Sequence, residues 1–410
     1  MIVQLMKGSL WTAAVLALRL ATQAGSLVLL TRLFGPQTYG HFASAAALAV
    51  VMGTLPNLGS GYLLLKKGSR DINATADLWR YAWPLTAVLG TTLLAAYVIC
   101  GHWLAQGLLA WPILLYIGTT ELLATPFTML FSFALQAGER VPTSQFVQWL
   151  PLGLRVMVAV PCFLLPSSER LSAYVMLQFL ASVLGALFGW VITRRHIRLD
   201  WQPRTATANE LKEGSSYAAM LIVSANPTEL DKIMAVRQVG AMDAGIYIAG
   251  SRVMGALVMP VLAMLLTAQP RLFRHAHEQT NASRRLVRTI FLLALTWGAL
   301  SGAVLAAASP LLPQLFGDGY LPTAQLMPWM AVTAPFLSLR LAAGSVLISL
   351  GHPLERVSFE LCGVALLLIG MLAFTHFMGV LGLVVAVILA EAAMCVLGLT
   401  LVNRHIRRGA

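Results

Sequence analysis

"RLFGPQTYGHF" occupies residues 32–42, and "RQVGAMDAGIY" occupies residues 237–247. The two stretches stand 205 residues apart, half the length of a 410-residue chain. At that one offset Arg32 aligns with Arg237, Gly35 with Gly240, Gly40 with Gly245 and Phe42 with Tyr247. Each stretch is a short polar break between two apolar runs, so the chain reads as one unit written twice. "RHIR" at Arg195–Arg198 and again at Arg404–Arg407, 209 residues apart, carries the match to the end of each half. "LQAG" ending at Gly138 and "ISLG" ending at Gly351 form a weaker pair.

Outward from these breaks the chain is 58% hydrophobic and 11% charged, against about 25% charged in soluble domains. That composition belongs to a membrane protein. A helix needs roughly 20 apolar residues to span a bilayer and must satisfy its own backbone there. The apolar runs place twelve spans near 10–31, 42–64, 79–100, 110–133, 145–165, 173–193, 217–236, 246–268, 289–308, 326–349, 358–377 and 380–402. Arg19 interrupts the first apolar run, so it reads as a retained span and not as a secretory signal.

The expected fold is therefore an all-α polytopic membrane protein of about 12 transmembrane helices. Six spans per half is an even number, so both halves enter from the same side as a parallel repeat about an axis along the membrane normal. The expected divisions are an N-terminal six-helix lobe at 1–193, a linker at 194–216, a C-terminal six-helix lobe at 217–402 and a basic tail at 403–410. The linker, "RRHIRLDWQPRTATANELKEGSSY" with Tyr217, is the longest polar stretch and has room for a short surface helix.

With the N-terminus inside, 20 of the 28 basic residues fall on the cytoplasmic side, 3 outside and 5 within spans. The positive-inside rule then puts both termini in the cytoplasm. The net charge of +12 is an inner collar facing anionic lipid, which removes the case for nucleic-acid binding. Cys100, Cys162, Cys362 and Cys395 all fall within spans, so no structural disulfide is expected.

"TRLFGPQTYGHF", "LKEG" ahead of "LDKIM" and "VGAMDAGIYIAG", "SPLLPQLFGDGYLPTAQLM" and the twelve-span layout together resemble the Wzx-type polysaccharide or O-antigen flippases. These are a branch of the multidrug/oligosaccharidyl-lipid/polysaccharide (MOP) exporter superfamily. The resemblance covers nearly the whole chain and implies a MATE-like fold. It also implies an inner-membrane transporter that flips polyprenyl-diphosphate-linked oligosaccharide by alternating access, for surface polysaccharides such as lipopolysaccharide. Other polysaccharide-assembly proteins are the partners it implies. Lipid II flippases of the superfamily usually have fourteen spans, and its multidrug antiporters export organic cations with lumen acids. Twelve spans and Arg19 count against these two.

A lipid-facing charge at mid-bilayer costs at least about 2.5–3.5 kcal/mol, so intramembrane ionisable residues are expected to face a cavity or a partner. The basic ones are Arg19, Arg155, Lys232, Arg252 and Arg340, and the acidic ones Glu121, Glu229, Asp231, Glu360 and Glu391. Five against five cancels, so placement has to decide. Arg19, Arg155 and Arg340 sit well inside their spans, and guanidinium forks suit diphosphate oxygens. They are the expected substrate contacts, with Arg252, Arg32 and Arg237 as further candidates. The competing reading pairs each with an acid on a neighbouring helix, such as Arg155 with Glu121.

Asp231 and Lys232 point about 100° apart on a helix and should not share one partner. Downstream of a kink expected at Pro227, they mark a candidate moving element. Asp231, Lys232, Glu121 and Glu391 are candidates for proton or sodium coupling, or for pairing between helices. Arg252 and Glu360 read as interfacial. In the opening turn, Gly35 and Gly40 bracket a tight outer turn, with Tyr39 and Phe42 in an aromatic belt and Arg32 and Arg237 placed to guide an anionic headgroup out.

"HAH" at His275–His277 reads as a solvated loop, and no metal or cofactor is expected. No G-x-x-x-x-G-K-[ST] is present, so there is no P-loop for ATP. An enzyme on lipid-linked sugars would need paired carboxylates in an outer loop. The longest outer loop, 309–325, offers only Asp318, so no enzyme is expected.

Overall fold

A computed structural model of the chain describes residues 2–105, 107–225, 227–276 and 281–408, which are helical almost throughout, with no β-strand among them. α1 (Ile2–Met52) carries the first span and most of the second without an intervening loop. It turns only at Gly35, whose φ of 67° is in the left-handed region that favours glycine, and Pro36 starts the next helix. The expected tight turn is thus a one-residue kink. Tyr39 and Phe42 are buried, not set in an interfacial belt; Phe42 packs against Phe34 and edge-on against Tyr174.

α2 (Ser60–Gly68) completes the second span, and α3 (Ala74–Leu104) is the third. The fourth is α4 (Trp111–Thr119), a π-helical turn (Thr120–Ala124) and α5 (Thr125–Ala137). α6 (Val141–Ala159) and α7 (Arg170–Arg194) end the first half. The seventh expected span falls on α8 (Ala208–Ala225) and α9 (Pro227–Val239); residue 226, beside the kink expected at Pro227, lies outside the described residues. α10 (Ala241–Leu257), α11 (Met259–Ala276), α12 (Asn281–Ala308) and the short α13 (Leu312–Phe316) lead to α14 (Leu321–Ala331) and α15 (Thr333–Ser349). α16 (Pro353–Met378) and α17 (Val380–Arg408) follow.

Among the described residues, eight helical stretches are long and apolar enough to cross a membrane, and a ninth is Asp318–Ala331 with Thr333–Ser349, bent by 50°. The other three expected spans are helical as well. Span 10–31 lies inside the kinked α1, 42–64 is broken at 53–59, and 217–236 is carried by α8 and α9 on either side of residue 226. The chain is an all-α polytopic membrane protein of about twelve crossing segments. All four cysteines are free.

Two compact units emerge, residues 1–34 with 41–233, and residues 35–40 with 234–410. In the first, Leu63, Leu64, Trp79, Ala82, Leu130 and Phe131 form a buried core. In the second, α15 packs along α17 and α16 along α17, with small residues such as Ala342, Ala343 and Ala386 fully buried. Lipid gives helices no hydrophobic reason to associate, so close approach through small side chains supplies the packing.

The segment 35–40 clusters with the second unit through the repeat itself. A Cβ on Gly40 would collide with the carbonyl oxygen of Ala241, and a Cβ on Gly245 with the carbonyl oxygen of Pro36. Both pairings respect the 205-residue offset, so the contact is two-fold in sequence as well as in space.

The polar stretch before α8 is pinned down in the first unit. Thr207 and Glu210 form a capping box: Glu210 N–H donates to Thr207 Oγ1 at 3.3 Å, and Thr207 N–H donates to Glu210 Oε2 at 2.9 Å. Arg204 forks between Asp77 and Glu210, at 3.0 and 2.7 Å. Trp201 sets its ring edge-on to Trp79 and Trp190.

Candidate functional site

The first unit holds a polar layer built on α1, α5 and α6. Arg19 Nη1 donates to Gln148 Oε1 at 3.1 Å, and Gln148 Nε2 donates to Ser132 Oγ at 2.6 Å. Gln136, one turn from Ser132, donates to the same hydroxyl at 3.2 Å. One turn from Arg19, Thr22 Oγ1 accepts the Trp149 indole N–H at 3.0 Å. Every partner is neutral. Among the described residues no carboxylate lies within ion-pair distance of half-buried Arg19.

Arg155 is placed differently. Its Nη1 donates to Glu121 Oε1 at 2.7 Å, Nε to Ser182 Oγ at 2.8 Å and Nη2 to Thr125 Oγ1 at 3.2 Å. Thr125 donates in turn to Glu121 Oε2 at 3.2 Å. All three guanidinium nitrogens are therefore engaged. The π-helical turn that carries Glu121 lies just before Pro126, whose missing amide N–H leaves the helical ladder free to shift register.

On α9, Lys232 Nζ lies 3.5 Å from Asp231 Oδ1 and 3.7 Å from Glu229 Oε1. Asp231 and Lys232 do leave the helix at different angles, but the long lysine stem swings back to its neighbour. Both are buried.

The second unit joins Arg340, Arg356, Glu360 and Glu391 in one network. Arg340 Nε donates to Glu391 Oε2 at 2.7 Å, and Arg340 Nη1 lies 3.6 Å from Glu360 Oε1. Arg356, one turn before Glu360, donates to the same oxygen at 3.0 Å. The Arg340 and Glu360 side chains are 3% and 2% exposed, so two cations and two carboxylates balance out of solvent. Glu360, read from the sequence as interfacial, is buried here because two guanidinium groups neutralise it. Arg252 is half-buried on α10, and Arg32 and Arg237 are exposed on α1 and α9.

His405 Nε2 lies 2.8 Å from Glu355 Oε2, and its ring stacks on His352 with centroids 3.8 Å apart and planes 19° from parallel. The ligand atoms of the three lie within 4.8 Å of one another. Near-parallel imidazoles set their lone pairs side by side, not converging on a tetrahedral centre, so the cluster reads as two stacked rings, one of them hydrogen-bonded to Glu355. The side chains of "HAH" at His275–His277 lie outside the described residues.

Residues 5–276 match the profile of the family described as polysaccharide biosynthesis protein. No match is found among curated protein sequences. Among solved structures, the chain resembles an inward-facing multidrug resistance MATE family transporter of the MOP superfamily, with a TM-score of 0.74 and 14% identity over 95% of this chain and 94% of that one. An outward-facing MATE family transporter of the MOP superfamily gives 0.60, with 15% identity over 99% and 95%. A MOP superfamily transporter from Pyrococcus furiosus gives 0.58, with 14% identity over 99% and 95%. At these identities the likeness is one of fold: the chain has the MATE-like fold of the MOP superfamily.

Proposed function

The chain belongs to the polysaccharide biosynthesis protein family, and from that premise we propose that this MOP-type transporter flips polyprenyl-diphosphate-linked oligosaccharide repeat units. Transport runs from the cytoplasmic to the periplasmic leaflet of a bacterial inner membrane by alternating access. The lobes are 1–193 and 217–402, both termini are cytoplasmic, and the product feeds surface polysaccharide such as O-antigen.

The observation that supports this reading best is the state of Arg19. Arg155, Lys232 and Arg340 are neutralised by carboxylates, whereas Arg19 rests on a neutral amide. A guanidinium in an expected span with no counter-ion among the described residues suits an incoming anion, and its fork matches diphosphate oxygens. Gln148, Gln136 and Ser132 add neutral hydrogen-bonding groups suited to sugar hydroxyls. A cationic drug would be repelled by the same charge. Arg155 and Arg340 then serve as helix ties. No catalytic chemistry is assigned to the chain.

The test is a chromosomal Arg19→Ala variant at matched membrane abundance, with lipid-linked repeat units assayed by leaflet. Repeat units should accumulate in the cytoplasmic leaflet while surface polysaccharide falls. Normal surface polysaccharide together with altered resistance to cationic drugs overturns the reading.

A further inference from the structure

The first unit carries an open groove of about 660 Å³ where α4, the π turn and α5 run beside α7. Phe127 and Phe131 line one side, Phe179 and Leu187 the other, and Trp190 and Trp201 close one end. Apart from Thr119, every lining side chain is apolar. From Phe179 to Trp190 the groove follows α7 for roughly 16 Å at 1.5 Å per residue. That is about half of a hydrocarbon core of roughly 30 Å, so the groove spans one leaflet.

Its tryptophan end opens onto charge. The Arg194 guanidinium lies over the Trp190 ring, 4.7 Å from its centroid, and Arg195 and Arg198 are exposed beside it. The nearby acids do not cancel this run: Asp200 pairs with Arg80, and Asp77 and Glu210 with Arg204. An apolar slot one leaflet deep, framed by tryptophans at headgroup level and capped by three arginines, has the shape and charge of a lipid.

We propose that this groove binds one anionic glycerophospholipid of the arginine-rich leaflet, with an acyl chain between α5 and α7 and the phosphate on Arg194, Arg195 and Arg198. The depth selects the occupant, because an acyl chain ends where the groove ends, while a polyprenyl chain is much longer than one leaflet. The arginine run selects an anionic over a zwitterionic headgroup. The site is separate from the Arg19 layer and does not depend on what the protein transports.

Delipidated full-length protein, titrated by native mass spectrometry with phosphatidylglycerol, phosphatidylethanolamine and undecaprenyl phosphate, tests this. One phosphatidylglycerol should be retained about tenfold more tightly than phosphatidylethanolamine, as expected for a few arginines near an anionic headgroup. Arg194→Gln/Arg195→Gln/Arg198→Gln should erase that preference, and Ala186→Phe, which fills the groove and leaves the charges, should weaken the single tight adduct. Arg284→Gln/Arg285→Gln/Arg288→Gln, elsewhere on the collar, should leave the preference intact. Equal retention of both phospholipids, a preference that survives the first triple variant, an adduct untouched by Ala186→Phe, or tighter binding of undecaprenyl phosphate at the same groove each overturns the proposal.

Discussion

Arg19 in the first unit and Arg340 in the second are both guanidinium groups inside predicted spans, yet their surroundings are opposite. Arg340 lies 2.7 Å from Glu391 and 3.6 Å from Glu360, with Arg356 on the far side of Glu360. Among the described residues, Arg19 has the side-chain carbonyl oxygen of Gln148 and no carboxylate. A charge that is fully neutralised locks helices together, whereas a charge left on neutral partners is available to a ligand. Counting charges in the sequence could not separate the two, because the totals cancel.

The sharpest way to break this contrast is to remove Arg340. Arg340→Ala takes the guanidinium away from buried Glu391 and Glu360, and breaking a buried pair from one side costs about 3–5 kcal/mol. Membrane abundance and thermal unfolding in detergent should both collapse. The double variant Arg340→Met/Glu391→Gln should recover most of the loss. Wild-type stability in Arg340→Ala would mean the network is not structural.

Arg19→Ala should do the reverse: stability nearly unchanged, transport lost. A hydrogen bond to a charged group contributes about 1.5–3 kcal/mol, so initial flipping rates should fall roughly 10- to 100-fold. Arg19→Lys keeps the charge but not the fork, and should recover only part of the rate. Equal transport in Ala, Lys and wild-type proteins would remove Arg19 from substrate contact.

The difference between the units also marks what was legible beforehand. Length, apolar runs and the 205-residue offset carried the fold, because a bilayer imposes span length and internal backbone satisfaction on any helix. The loop-free kink at Gly35 and the interruption at 53–59 blur the first two spans without changing their number. The Arg155–Glu121 pairing was legible as one of two readings, since oppositely charged residues in spans must find partners. Gln148, Gln136 and Ser132 were missed because single neutral residues in apolar runs carry no signal of mutual contact until α5 and α6 are packed. Arg356 and Glu360 were missed as part of a network because their i, i+4 spacing also fits an exposed pair. Thr207 and Glu210 could have been found, because T-x-x-E is a capping signature in the sequence itself.

A second comparison sits within α1. Gly25 has open space where a Cβ would go, whereas Gly40 meets the Ala241 carbonyl. Gly40→Ala and Gly245→Ala should each cost about 1–3 kcal/mol through forced backbone shifts. Gly25→Ala should be neutral or slightly stabilising, since alanine is the better helix former. Thermal unfolding of the three variants checks this. Equal behaviour at Gly25 and Gly40 would mean that the two-fold contact adjusts freely.

The smallest expected effect belongs to the clamp before α8, compared with the exposed pair next to it. The Arg204 guanidinium, with the capping contacts of Thr207, holds the Glu210 carboxyl down at about 2 from an ordinary 4.5. A depressed carboxyl stabilises the fold above its unfolded value, and that contribution disappears as pH falls from about 4.5 through about 2. Glu210→Gln, which keeps the capping acceptor and removes the charge, should therefore unfold earlier than wild type at pH 6, by about 1 kcal/mol for the weakened bonds to Arg204. The gap should narrow below pH 4.5 and close near pH 2. Glu213, paired with Lys66 at 2.7 Å on the surface, is the comparison: Glu213→Gln should leave the unfolding temperature unchanged at every pH, as exposed pairs contribute little. A Glu210→Gln gap that stays constant with pH would show that the charge held by Arg204 does not set the strength of the clamp.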